Sequence, residues 1–320
     1  MNLKHIILFL LLMLCPIGMA AQSTITRHKP KPAVTKHKPA AKPKAKPAPR
    51  RNSTHHSSGT NSTSSTNSTS STSSISSTSS ISSTSSTTGL SAELNKLINN
   101  MVYVSSGTFT MGGTSEQGSD AYNDEKPTHS VTLSSYYICK YEVTQALWRA
   151  VMGSNPSNFK GDNLPVENVS WYDCQTFINR LNSYTGRNFR LPTEAEWEFA
   201  ARGGNYSRHY KYSGSNYISD VGWYDDNSGN RSFPVGTKQA NELGLFDMSG
   251  NVYEWCSDWY GSYSSYSQND PTGATSGSYR VRRGGGWGNF ARGGRLSYRG
   301  SCAPDGRSSN LGLRLVLSQL

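Results

Sequence analysis

The chain has 320 residues and a formal net charge of +11, with 17% charged and 11% aromatic residues. Eleven of its 32 Lys and Arg fall in residues 1–92, which hold no Asp or Glu, so 93–320 sets 21 basic residues against all 21 acidic ones. The C-terminal part is therefore formally neutral, which argues against a basic nucleic-acid face on it and assigns the excess positive charge to the N-terminal part.

Residues 1–21 read as a secretory signal peptide: Lys4 near the start, an apolar run from Ile6 to Leu14, then small residues at Gly18, Ala20 and Ala21. The run is too short to span a hydrocarbon core of about 30 Å as a helix. Cys15 offers a lipid-attachment reading, but Leu14 stands where that signal wants a small residue, so cleavage near Ala20 or Ala21 is expected. A secreted, periplasmic or cell-surface location follows. Residues 22–92 predict a disordered stalk. From His28 to Arg51 it is Lys, Pro and Ala, which cannot bury enough apolar surface to offset ordering entropy. From Asn52 to Thr88 it is nearly all Ser and Thr, a flexible spacer. A tether is the plain reading; the sharper one is contact between the basic segment and an anionic cell surface.

One aromatic-rich domain is expected over 93–320, with all seven Trp and all eighteen Tyr beyond residue 100. Val102 to Val104, Thr108 to Met111 and Val131 to Val143 have strand character. Thr144 can cap a helix running to Met152, with Gly153 as its stop. Ser170 and Asp173 form a capping signal for a helix ending at Gly186, whose buried stripe is Trp171, Cys174, Phe177, Ile178 and Leu181. Thr193 and Glu196 cap a further helix from Glu194 to about Ala201, stopped by Gly203 and Gly204. The next 115 or so residues show hardly any helical periodicity and end in two strand-like runs, Tyr279 to Arg283 and Leu311 to Leu317. The reading is α+β, loop-rich, with irregular backbone held by aromatic packing.

Beyond Cys15 the cysteines are Cys139, Cys174, Cys256 and Cys302, with no close pair in sequence. Two disulfides are open to them in an oxidising compartment, but a domain this size builds a core without them, and buried single thiols are expected for at least three.

Seven stretches carry a family resemblance in order: GTFTMG at 107–112, KYEVT at 140–144, PVENVSW at 165–171, RLPTEAEW at 190–197, GLFDMSGNVYEW at 244–255, RGGGW at 283–287 and LGLR at 311–314. The chain resembles the formylglycine-generating enzyme, or sulfatase-modifying factor, family over 101–317, and the resemblance implies a C-type-lectin-like fold. Enzymes of that family oxidise a sulfatase cysteine with oxygen and copper(I) held by two cysteines, soft thiolates being what Cu(I) prefers. Laid on the motif, the two thiol positions fall near Asn289 and Gly294, and the usual serine is Gly286. Copper is therefore not expected, and the fold alone does not carry the oxidase activity across. A branch using histidine-held iron is also excluded, because the domain has only His129 and His209, not at ligand spacing.

The resemblance also implies a structural Ca²⁺, held by the Asp247 and Glu254 side chains and the Gly250 and Val252 carbonyls, hard oxygen donors that suit the ion. The alternative leaves Asp247 starting a turn and Glu254 paired with an arginine. Finally, 286–313 alternates a framework (Trp287, Ala291, Arg295, Ser297, Arg299, Pro304, Arg307, Gly312) with small or polar fillers, Gly293, Gly294 and Gly300 among them. It is similar to the variable region of diversity-generating-retroelement target proteins, which implies a candidate display face of Gly288, Asn289, Phe290, Tyr298, Ser301 and Asn310 for a protein or surface ligand yet to be identified. Two functions stay open: a non-catalytic binding or surface-structural module, and an active oxidase whose copper site uses cysteines distant in sequence.

Overall fold

The computed structural model describes residues 78–318; the expected signal peptide at 1–21 and the expected stalk up to residue 77 lie outside them. The first described element is helix α1 (Thr78–Asn99), which spans the expected linker boundary at residue 92. Leu90, Leu94 and Leu97 recur at helical spacing and pack on the core beside Leu147, so the helix reaches back from the core into the Ser/Thr run. The preceding serines and threonines hide that period from a composition reading.

Three small sheets follow. Strands β1 (Met101–Val104) and β4 (Tyr136–Cys139) join β5 (Phe189–Arg190) and β11 (Val316–Leu317) in the order β1-β4-β11-β5. Strands β6 (Tyr253–Trp259), β8 (Arg280–Arg283), β9 (Gly300–Cys302) and β10 (Leu311–Gly312) form β10-β6-β8-β9, and β2 (Gly107–Met111), β3 (His129–Leu133) and β7 (Gln268–Asn269) form β2-β3-β7. The single strand expected over 131–143 is thus two strands in different sheets. Ser134, whose backbone N–H and hydroxyl both donate to Asp270, turns the chain between them. The run 311–317 splits likewise, with buried Leu313, Arg314 and Leu315 bridging two sheets.

The helices form where their caps predict. In α2 (Gln145–Met152) the Thr144 hydroxyl accepts from Leu147 N–H, and Gly153 closes the helix at φ 79°. In α3 (Trp171–Thr185) Ser170 and Asp173 bond reciprocally, burying Cys174, Phe177, Ile178 and Leu181. Helix α4 (Glu194–Ala201) is buried along its whole length, including three glutamates. Each finds an arginine: Glu194 with Arg299, Glu196 with Arg190, Glu198 with Arg202 and Arg283. Pairing is what lets carboxylates enter a core.

Chain crossings are tight. A Cβ at Gly312 would sit 2.3 Å from the Val166 carbonyl oxygen and 3.2 Å from Val252 Cγ2. Backbone cannot yield there as a side chain would, so Gly312→Ala is expected to cost about 3 kcal/mol or more in chemical denaturation.

Candidate functional site

The loop following β8 turns through Gly284 and Gly285, at φ +92° and +73°. A side chain at Gly285 would meet the Gly293 carbonyl at 2.7 Å, so glycine is required for the approach. Trp287 is anchored at both ends: its N–H donates to the Asn251 carbonyl at 2.7 Å and its indole N–H to the Ser309 carbonyl at 2.9 Å. Beneath the segment, Arg295 donates two bonds to Glu125, 170 residues earlier in the chain, and Ser297 donates to the same carboxylate. Burial pushes the Glu125 carboxyl up, but the Arg295 and Ser297 bonds outweigh it and hold the group below its ordinary value. Arg292 lies over the Tyr122 ring at 3.5 Å, and Tyr122 packs edge-on to Tyr298.

On this base the six candidate face positions are unequally displayed. Phe290 is 77% exposed and Gly288 is exposed; Asn289, Tyr298, Ser301 and Asn310 are half-buried. The side chains of Asn289 and Tyr298 act on the phenol of Tyr253 in β6, which places the face over that sheet. Arg295 and Arg314 are fully buried and Trp287 is half-buried. The wider filler set needs correction: Gly293, Gly294 and Gly300 are buried, and a Cβ at Gly294 would meet Ile218 Cδ1 at 2.6 Å. Those glycines belong to the framework.

The cysteines do not supply a copper pair. All four are free, and Cys139, Cys174 and Cys256 are buried, where desolvation pushes each thiol up in pKa. Cys302 alone is half-exposed. A reactive Cu(I) pair needs two accessible, readily ionised thiols, so this donor set does not fit.

The expected calcium residues lie together, with a change of roles. Glu254 accepts from Arg314 on both oxygens, at 2.7 to 3.1 Å, and from the Trp197 indole at 2.8 Å. Its carboxylate is thus already matched by a guanidinium. Asp247, at φ 60°, accepts the Gly236 N–H on Oδ2, while its buried Oδ1 has no partner. Burial first, then nearby Glu254, push its carboxyl up to about 6. Glu142 was not read as a site residue, although it lies in the KYEVT stretch. It accepts from Asn251 Nδ2 at 2.7 Å and Val252 N–H at 3.1 Å, and burial followed by Asp247 and Glu254 raises its pKa well above the ordinary value. Three buried carboxylates thus share one arginine. No three Asp, Glu, His or Cys side chains converge at metal-ligating distance among the described residues, so a cation here would need backbone carbonyls such as those of Gly250 and Val252.

Tyr122 and Glu125 also escaped the sequence reading. Their partners lie about 170 residues downstream, and no local pattern marks that contact.

Residues 87–319 match the sulfatase-modifying factor enzyme 1-like domain. The chain is 37% identical over 258 residues to the chaperone protein LppX of Paenibacillus barcinonensis, covering 65% of this chain and 88% of that one. It is 34% identical over 190 residues to the formylglycine-generating enzyme of Streptomyces coelicolor, covering 54% of this chain and 58% of that protein. It is also 30% identical to the serine/threonine-protein kinase pkn1 of Chlamydia caviae, of whose length the match spans 38%. Among solved structures, Treponema denticola variable protein 1 superposes with a TM-score of 0.63 at 33% identity, covering 68% of this chain and 95% of that one. Seven ordered motifs, the C-type-lectin-like arrangement of short sheets, and a match over 87–319 place this chain in the sulfatase-modifying factor enzyme 1-like family.

Proposed function

We propose that this chain is an exported, non-catalytic binding module of that family. A signal peptide and basic, Ser/Thr-rich stalk carry a domain whose face of Gly288, Asn289, Phe290, Tyr298, Ser301 and Asn310 meets a protein or surface ligand. The observation that carries this reading is Phe290, a large aromatic 77% exposed on a loop locked by Trp287 and the Arg295–Glu125 pair. Rigid support with an exposed apolar residue suits recognition, since a preorganised surface loses less entropy on binding. Asn289 and Gly294 at the two thiol positions support a binding role over oxidation. The likeness to a protein described as variable supports the finer reading, in which the face is diversified between copies. The basic segment at 28–51 is the natural contact for an anionic cell surface.

A structural Ca²⁺ belongs to the proposal as well. Asp247 Oδ1 and the Gly250 and Val252 carbonyls would hold it, with Glu142 supplying charge, while Glu254 serves Arg314. Hard oxygen donors and surplus negative charge are what that ion requires.

Two observations test the functional reading. Genomic sequence beside the gene should hold a template repeat nearly identical to 286–313 but differing at adenines, next to a reverse transcriptase; its absence removes diversification and leaves the binding module. Incubated with Cu(I), oxygen and a sulfatase cysteine peptide, the full-length protein is expected to leave the cysteine unoxidised by mass spectrometry, whereas formylglycine formation overturns the non-catalytic reading. On the face itself, Gly288→Ser and Phe290→Ser should each change stability by no more than about 0.5 kcal/mol, as exposed substitutions do.

A further inference from the structure

A second site lies away from the display face, where the end of β6 passes under the loops at 261–264 and 271–274. The cavity there has a volume of about 140 Å³ and includes Met111, His129, Glu194, Asp258, Trp259 and Tyr263 in its walls. Its rim is exposed at Ser262, Gly273 and Ala274, while Glu194, Asp258 and His129 on its floor are 3%, 3% and 5% exposed. It is therefore a pit with an open mouth and a buried polar base.

The charges in that base are unequally matched. Glu194 is held by Arg299, whose Nε and Nη2 donate to its two oxygens at 2.6 and 2.7 Å, and by the Tyr263 hydroxyl at 3.2 Å. Arg283, 3.5 Å from Glu194, belongs chiefly to Glu198. Asp258 forms no ion pair among the described residues, Arg190 and Arg280 acting on it only from beyond contact. Its Oδ2 accepts from the Glu194 N–H at 3.0 Å and the Ser257 hydroxyl at 2.9 Å, and Oδ1 has no hydrogen-bond partner among the described residues. Burial first, then neighbouring Glu194, push its carboxyl up to about 7. A buried carboxylate with no ion-pair partner in contact favours a ligand that brings one.

The rest of the wall defines that ligand. His129 packs on Tyr263 with ring centroids 4.9 Å apart, and Trp259 adds an indole. Arg299, which also lines the pit, lies over the Tyr263 ring at 3.9 Å and Arg280 over the Trp259 ring at 3.5 Å, so the rings offer a ligand their remaining apolar surface, and a cavity of about 150 Å³ holds a benzene-sized body.

We propose that this pit binds a small organic ammonium ion, its charge against Asp258 Oδ1 and its apolar body between Trp259, Tyr263 and Met111. The site shares no residue with the display face and stands or falls independently of it.

Benzylamine is a suitable probe, with benzyl alcohol as its neutral counterpart, tested on the full-length chain by calorimetry and thermal melting. The expected result is saturable binding of benzylamine at least ten-fold tighter than of the alcohol. Asp258→Asn should lose at least ten-fold of that affinity; the amide oxygen still accepts the Glu194 N–H, so the variant should retain the fold. Ala274→Trp, which crowds the mouth without touching the base, should weaken both probes if it folds. Absence of benzylamine binding, equal binding of the two probes, or unchanged affinity in Asp258→Asn overturns the proposal.

Discussion

Replacing Arg295 with Leu is expected to cost about 3–5 kcal/mol of stability, the largest effect of any single change near the proposed display face. The substitution keeps bulk but strips two bonds from Glu125, a residue 0% exposed, leaving an uncompensated buried carboxylate. The pH dependence distinguishes this cause from lost packing. Because the folded Glu125 pKa is depressed, its contribution is present above the ordinary value of 4.5 and is lost as pH falls through the lower folded value. The gap between wild type and Arg295→Leu should therefore narrow on acidification below about pH 4, since a protonated Glu125 no longer needs a cation. A gap unchanged with pH would assign the loss to packing. Where the variant remains folded, ligand binding at the face should fall with the local order of 286–298.

The second large effect concerns the three carboxylates around Asp247. In chelator, stability should fall as pH rises from about 4 to about 7. The folded Asp247 pKa is raised from 3.8 to about 6, so its contribution is fully present below the unfolded value and is lost as pH climbs through the folded one. A displacement of that size corresponds to about 3 kcal/mol. Added Ca²⁺ should recover the loss by pairing with the ionised group. Asp247→Asn should remove most of the calcium response and, in chelator at pH 8, be at least as stable as wild type. Glu254→Ala behaves differently: it orphans the fully buried Arg314 and should be destabilising with or without calcium. Identical melting curves in calcium and chelator across this range would remove the ion from the account.

These effects show what was legible in the sequence. The three well-capped helices could be read because Thr144, Ser170 and Thr193 act within three residues of the groups they bond. The framework of the candidate face segment was legible in part: Arg295, Ser297 and Arg299 are buried, but so are Gly293, Gly294 and Gly300, read as fillers. Strand β6 was not, because Tyr253, Glu254, Trp255 and Cys256 are all buried and leave no alternation of apolar and polar positions. Helix α1 was hidden by Ser and Thr, which compositional reading assigns to a spacer. The least legible features were ion pairs: Glu125 with Arg295, Glu254 with Arg314 and Glu194 with Arg299 are each set by tertiary contact across 60 to 170 residues. The role of Glu254 turns on such a pair, since a motif reading assigns it to a metal and the fold gives it to an arginine.

The central claim is that the face at 288–310 tolerates change because its support lies beneath it. It is tested most directly by melting a panel of variants in which Gly288, Asn289, Phe290, Tyr298, Ser301 and Asn310 are replaced together by varied polar and aromatic residues. The predicted result is that most of the panel melts cooperatively within a few degrees of wild type. A panel in which most members fail to fold would show these positions to be structural and would contradict the display face.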